Sequence, residues 1–158
     1  MEDDELLQDD DLPTARFVSI GFMCELVSLD EVRTWLRSLK RRLTSVPDWV
    51  NDVLDERRCD RLFIWTHLQR LVTREGRSHR DDEAVSALLG RLGRFLSEAS
   101  LSMERVGPVL QRLAANCLPG SRLKQQIDRR VQQLKLWSRY KNDRGLAQLE
   151  GWLSEFRE

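Results

Sequence analysis

Apolar residues recur at three- and four-residue steps along nearly the whole chain, and this spacing is what most restricts its fold. Such steps place apolar side chains on one face of an α-helix, whereas a half-buried strand needs strict alternation of apolar and polar residues. No stretch of the sequence alternates over six positions with the β-branched enrichment of a strand. We therefore predict an all-α protein, a single-domain bundle of seven to eight helices.

The segment from Ser28 to Leu43 shows this pattern most clearly. Ser28 and Glu31 have the spacing of a capping box, in which each side chain accepts a hydrogen bond from the other residue's backbone N–H. The residues that follow predict one apolar stripe, formed by Val32, Trp35, Leu36, Leu39 and Leu43. On the opposite side we expect a basic face in water, formed by Arg33, Arg37, Lys40 and Arg41.

Charge divides the chain into a tail and a helical domain. The first 12 residues carry seven acidic residues and no basic one, which predicts a flexible acidic tail over 1–12. The alternatives are a tail that folds back onto basic helices and an acidic–apolar docking segment. The helical domain then spans 13–158. The polar loop EGRSHRDDE, at 75–83, is the best candidate for a boundary between two lobes, 13–74 and 81–158.

Glycine, proline and serine predict finer features of the second half. Gly90 and Gly93 lie three residues apart on one helix and predict a close helix neighbour. Pro108 lacks the N–H that a helix interior needs, so we expect the regular part of the sixth helix to begin near Gly107. Ser121 is a candidate N-cap for the seventh helix.

Composition restricts the compartment and the chemistry. The chain of 158 residues has no apolar run near the roughly 18 residues of a membrane span, so no membrane partner is expected. The acidic start differs from a secretory signal, and the odd number of cysteines (Cys24, Cys59 and Cys117) is typical of free thiols. We predict a cytoplasmic protein.

The stretch CDRLFIWTHLQRL, at 59–71, gathers a cysteine and one of the two histidines. Cys59 and His67 are eight positions apart, which on a helix corresponds to a rise of about 12 Å. Two zinc ligands must each reach within about 2.3 Å of one ion, so this pair is unsuited to a metal site or a nucleophile–base pair. The stretch instead predicts a helix that is apolar almost all round and covered on several sides, near the centre of the bundle or partly against a partner.

Sequence motifs of catalysis are missing. No phosphate loop, dinucleotide fingerprint, zinc-protease helix, EF-hand loop or nucleophile elbow occurs in the sequence. We therefore predict that the protein is not an enzyme and uses no cofactor or metal.

The basic stretch in the C-terminal half is the strongest functional signal. Residues 105–144 contain ten Arg or Lys residues against two acids, Asp128 and Asp143. Three interpretations remain open: a solvated helix face, a face that binds an acidic protein, and a face that neutralises phosphates of a nucleic acid. The candidate binding residues are Arg122, Lys124, Arg129, Arg130, Lys135, Arg139, Lys141 and Arg144.

Two resemblances suggest functional contexts. ELVSLDEVRTWLRSL followed by VPDWVNDVL, within 25–54, resembles small bacterial helical proteins, some of which are similar to immunity proteins of polymorphic toxin systems. This resemblance implies a stoichiometric inhibitor bound to a toxin domain. The order of LLGRLGRFLSEAS, LKLWSRY and LAQLEGWLSEF, within 59–158, is similar to the small helical subunit of type I CRISPR surveillance complexes. That resemblance implies binding of guide RNA and displaced DNA, with Arg94, Arg112, Arg129 and Arg130 as candidates.

Taken together, these patterns favour a non-catalytic bacterial binding protein. We expect an adaptor, a regulator or an immunity-type inhibitor that binds an acidic protein surface through its basic C-terminal helix face. The alternative is a nucleic-acid-binding subunit of a ribonucleoprotein assembly.

Overall fold

The computed structural model describes residues 6–58, 60–140 and 143–157, except for the side chains at positions 75, 138–140 and 143. These residues form eight α-helices and no strand, which confirms the all-α prediction. The helices are α1 (Leu12–Met23), α2 (Leu29–Lys40), α3 (Asp48–Leu54), α4 (Arg61–Thr73), α5 (Asp82–Ser97), α6 (Met103–Ala115), α7 (Arg122–Tyr140) and α8 (Asp143–Ser154). Within the described ranges, no helix has both the length and the apolarity that crossing a bilayer requires.

The chain divides into two compact units, Met1–His79 and Arg80–Glu158. The division falls inside the polar loop 75–83 that the sequence marks as a candidate boundary. The first unit contains α1 to α4, and the second contains α5 to α8.

In the first unit, α1 packs against α2 and α4, and α2 packs against α3. The predicted capping box starts α2: the Ser28 N–H donates to Glu31 Oε2 at 2.7 Å, and the Glu31 N–H donates to Ser28 Oγ at 3.2 Å. Two free N–H groups of the first turn are thereby satisfied. The stripe beyond the cap is buried at Val32, Leu36 and Leu39.

Arg33 departs from its predicted position in water, since the residue is only 8% exposed. Its Nε donates to the Val53 carbonyl oxygen at 3.1 Å, and its Nη1 lies 3.5 Å from Asp30 and 3.8 Å from Glu56. The methylene groups of arginine can be buried while its guanidinium keeps its hydrogen-bond partners. A sequence pattern that places every charged residue in water does not predict such a position. Arg33 thereby joins α2 to the end of α3.

The acidic segment before α1 is folded as far as the structure describes it. Leu6 is 1% exposed and Leu7 is 9% exposed. Asp9 Oδ1 lies 2.9 Å from Arg77 Nη2, and Asp11 Oδ1 lies 2.8 Å from Arg42 Nη2. The predicted flexible tail over 1–12 is therefore not confirmed for 6–12, and 1–5 lie outside the described residues.

In the second unit, α5 packs against α6 and α8, and α7 packs against both α6 and α8. A Cβ at Gly90 would lie 2.6 Å from the Phe156 carbonyl oxygen, and one at Gly93 would lie 3.0 Å from Leu153 Cβ. These distances confirm the predicted close neighbour of α5, which is α8 and the residues just after it.

Helix α6 begins earlier than Pro108 led us to expect. It starts at Met103 and contains Pro108 in its interior. The missing proline N–H would have bonded the carbonyl of Glu104, but both residues are exposed, so water can serve that carbonyl. Burial of the stripe at Val106, Leu110 and Leu113 offsets the lost bond. The predicted cap of α7 is confirmed, since the Lys124 N–H donates to Ser121 Oγ at 3.1 Å.

Candidate functional site

The candidate surface lies on α7, which is amphipathic. Ile127 and Val131 are buried, and Leu123 and Leu134 are half-buried on the same side. Trp137 also turns toward α8, where its ring leaves no room for a Cβ at Gly145. These contacts against α6 and α8 fix the rotation of α7, so the opposite side faces solvent.

Five exposed side chains follow that solvent side at alternating steps of three and four residues. We call this stripe the outer seam, and it consists of Arg122, Gln125, Arg129, Gln132 and Leu136. Alternating steps of three and four keep side chains in one narrow stripe of a helix. At about 1.5 Å per residue, the outer seam is about 21 Å long. Its residues are therefore placed for contact with one partner surface.

Charge and apolarity coincide on the outer seam. Neither Arg122 nor Arg129 has an acidic partner among the residues that the structure describes. Asp128, the acidic residue of α7, is already paired with Lys124 at 2.8 Å on the same helix. Leu136 is 55% exposed and adds an apolar side chain to this stripe. It was not among the predicted binding residues, although counting along α7 at 100° per residue would have placed it beside Arg129.

The eight predicted binding residues do not form one face. Arg122 and Arg129 lie on the outer seam, whereas the exposed Lys135 points about 120° away from Arg129. Arg130 is half-buried; its Nη1 donates to Gln133 Oε1 at 3.0 Å, and its guanidinium lies 5.2 Å from the Trp152 ring centre. Lys124 is held by Asp128.

The remaining candidates lie elsewhere. Arg144 belongs to α8, while the Arg139 side chain and Lys141 lie outside the described part of the chain. Of the residues that the CRISPR-type resemblance implies, Arg94 is exposed on α5 and Arg112 is exposed on α6. The described basic residues are thus distributed over several helices, and only two of them share the outer seam.

His67 is part of an aromatic cluster in the first unit. Its ring stacks on Trp49 with centroids 4.9 Å apart, and meets the edge of Phe63 at 4.6 Å. Cys59, the residue paired with His67 in the sequence analysis, lies outside the described residues. In the described ranges, no three His, Cys, Asp or Glu side chains are grouped so that they could hold a metal ion.

A small cleft lies between α1 and α4 of the first unit. Its volume is about 240 Å³, and it is lined by Phe22, Met23, Arg61, Leu62 and Trp65. Leu62 is 67% exposed, so α4 is open to solvent at its first turn, where the sequence predicted a helix covered on several sides or partly against a partner. Arg61 is bound to the wall itself, with its guanidinium 4.3 Å from the Phe22 ring centre. The cleft is smaller than the roughly 300–1,000 Å³ of most ligand pockets.

Cys117 is a buried thiol at the end of α6. Its Sγ lies 3.5 Å from the Leu113 carbonyl oxygen. Burial, and then the negative charge of Asp82, raises the pKa of this thiol from 9.0 to about 12. Both causes disfavour the thiolate, which is the nucleophilic form of cysteine.

We expect Cys117 to be nearly inert toward alkylation at pH 8. A pKa near 12 leaves about one thiolate in ten thousand, against about one in ten for the unfolded chain, so labelling should slow at least about a thousandfold. Iodoacetamide labelling of the Cys117 peptide, followed by mass spectrometry in buffer and in urea, measures this ratio. Labelling within tenfold of the unfolded rate would contradict the burial. The folded thiol holds its proton to a higher pH than the unfolded one does. Its contribution to the free energy of unfolding is therefore fully present below pH 9.0 and is lost as the pH rises toward 12.

Comparison of the chain with protein-family models, curated proteins and solved structures finds no match. Its function must therefore be inferred from the residues themselves, and the outer seam is the surface that offers the most to a partner.

Proposed function

We propose that the chain is a non-catalytic binding protein that contacts an acidic surface of another protein through the outer seam of α7. The observation that carries this proposal is the pair Arg122 and Arg129, exposed on one stripe with no acidic partner among the described residues. Such a protein would act as an adaptor, a regulator or a stoichiometric inhibitor.

Arginine suits this role by its geometry. A guanidinium presents its N–H donors in a planar fork that matches a carboxylate, and a bidentate pair is stronger and more specific than a lysine contact. Among the described residues, no acidic group pairs with either of the two guanidinium forks on the outer seam. They are therefore available to carboxylates on a partner. The main cost of such binding within this chain is the conformational entropy that the two side chains lose.

Leu136 supports a protein partner over a nucleic acid. An exposed leucine gains free energy when a protein surface covers it, about 25 cal/mol for each Å² of apolar area, but gains nothing from a phosphate backbone. Two seam arginines would also release only about two counterions, whereas specific nucleic-acid binders commonly make about 6–10 phosphate contacts. The seam therefore suits carboxylates next to an apolar residue.

Photo-crosslinking tests this proposal in the organism that encodes the chain. A benzoylphenylalanine at position 136 should form an adduct with a protein, and the double variant R122E/R129E should reduce that adduct at least about tenfold. The matched control is R37E/R70E, which changes the net charge equally at exposed arginines of α2 and α4. An adduct that nuclease removes, or one that persists in R122E/R129E, would contradict the proposal.

A further inference from the structure

We infer that the element bound by the outer seam is an acidic amphipathic α-helix that lies along α7. This inference rests on the proposed function and names the partner's secondary structure and residue pattern. It is carried by the spacing of the seam, by the order of its side chains and by the charge that they leave unpaired.

The spacing of the outer seam fits another helix. Its positions repeat with a period of 3.5 residues, the period of a coiled-coil seam. A straight α-helix drifts only about 20° from that period in each heptad, so the stripe stays aligned over the two heptads from Arg122 to Leu136. An extended strand presents one face every two residues, about 6.6 Å, whereas the seam advances by about 4.5 or 6 Å at each step. A helix matches these steps and a strand does not.

The order of side chains along the seam specifies what the partner helix must carry. Arg122 and Arg129 lie seven residues apart, so two acids seven residues apart on a partner helix would meet both. Gln125 and Gln132 have the same separation and can donate to acidic or polar side chains between those positions. Leu136 is the last seam residue whose side chain the structure describes, and it favours an apolar residue opposite it.

A second copy of the chain does not meet these requirements. In a parallel in-register pair of α7 helices, Arg122 would face Arg122 of the second copy, and Arg129 would face Arg129. In an antiparallel pair centred on the seam, Arg129 would again face Arg129. Like charges brought together in this way oppose association, whereas acidic residues at the same positions favour it. The charge of the seam therefore selects a different, acidic helix.

Designed helical peptides test the inference on the full chain. One 21-residue lactam-stapled peptide carries Glu at the positions facing Arg122 and Arg129 and Leu at the position facing Leu136. A second peptide has the same composition with its Glu and Leu residues distributed around the helix. Fluorescence anisotropy at low ionic strength should show at least about tenfold tighter binding of the first peptide, and R122E/R129E should abolish that preference.

Matched variants separate the seam from general charge. R37E/R70E should leave the affinity for the patterned peptide within twofold, and Leu136→Ala should weaken it about threefold to tenfold. Leu62→Ala, a control at another exposed leucine, should leave it unchanged.

Two outcomes overturn the inference. Equal binding of both peptides, or undetectable binding of both, would show that the seam does not recognise a patterned helix. If the crosslink at position 136 still captures a protein in either case, the proposed function stands and the partner element is not a helix. If the crosslink also fails, the proposed function falls with the inference.

Discussion

Replacing Leu6 by alanine is expected to lower the free energy of unfolding of the first unit by about 2–5 kcal/mol. Leu6 is 1% exposed, so the substitution removes buried methyl groups and leaves a cavity that the neighbouring side chains only partly fill. Urea denaturation followed by tryptophan fluorescence measures the effect, because Trp35, Trp49 and Trp65 lie in the first unit.

Leu62→Ala is the matched control for Leu6→Ala. The chemical change is identical, but Leu62 is 67% exposed and should contribute less than about 0.5 kcal/mol. If Leu6→Ala and Leu62→Ala both unfold at the same urea midpoint as the unchanged chain, the segment before α1 does not belong to the core. A loss confined to Leu6→Ala would show that it does.

The difference between the predicted tail and this folded segment has a physical reason. Acidic composition is a local property, and it outweighed the two leucines at positions 6 and 7 in the sequence analysis. The contacts that hold the segment are distant along the chain: Asp9 pairs with Arg77, 68 residues away, and Asp11 pairs with Arg42, 31 residues away. Local pattern gives no information on such partners, so the folding of this segment could not be predicted from it.

Features that depend on neighbouring residues were predicted well. The apolar spacing produced the eight helices of the described residues, and the caps at Ser28 and Ser121 depend on contacts only three residues away. The ends of α1 and α3 were less visible. They close on left-handed residues that are not glycine, namely Glu25 at φ 61° and Glu56 at φ 58°. Without the usual glycine, the sequence carries no clear stop signal there.

The candidate site divides in the same way. The sequence alone predicts that Arg122 and Arg129 share one face, because this follows from counting residues along a helix. The sequence does not predict the half-buried position of Arg130, because that position depends on the packing of α7 against α8 and on the ring of Trp152. Seam residues are exposed and bear little of the fold's packing, so variants at Arg122 and Arg129 should remain folded.

Replacing Gly90 by alanine is expected to destabilise the second unit by up to about 2 kcal/mol. The new Cβ would lie 2.6 Å from the Phe156 carbonyl oxygen, a backbone atom that cannot rotate away. Relief requires a shift of the segment after α8, which is also held by the 2.8 Å hydrogen bond from Arg157 Nη2 to Ser97 Oγ. Overpacking of this kind costs about 1–3 kcal/mol, and the better helix propensity of alanine returns about 1 kcal/mol at most.

Replacing Gly151 of α8 by alanine should instead increase the stability of the second unit. A Cβ there meets no atom within 4 Å, so only the gain in helix propensity remains, about 0.5–1 kcal/mol of added stability. Thermal unfolding followed by circular dichroism compares the two variants. If Gly90→Ala were stabilising to the same degree as Gly151→Ala, the close approach of the Phe156 backbone to α5 would be wrong.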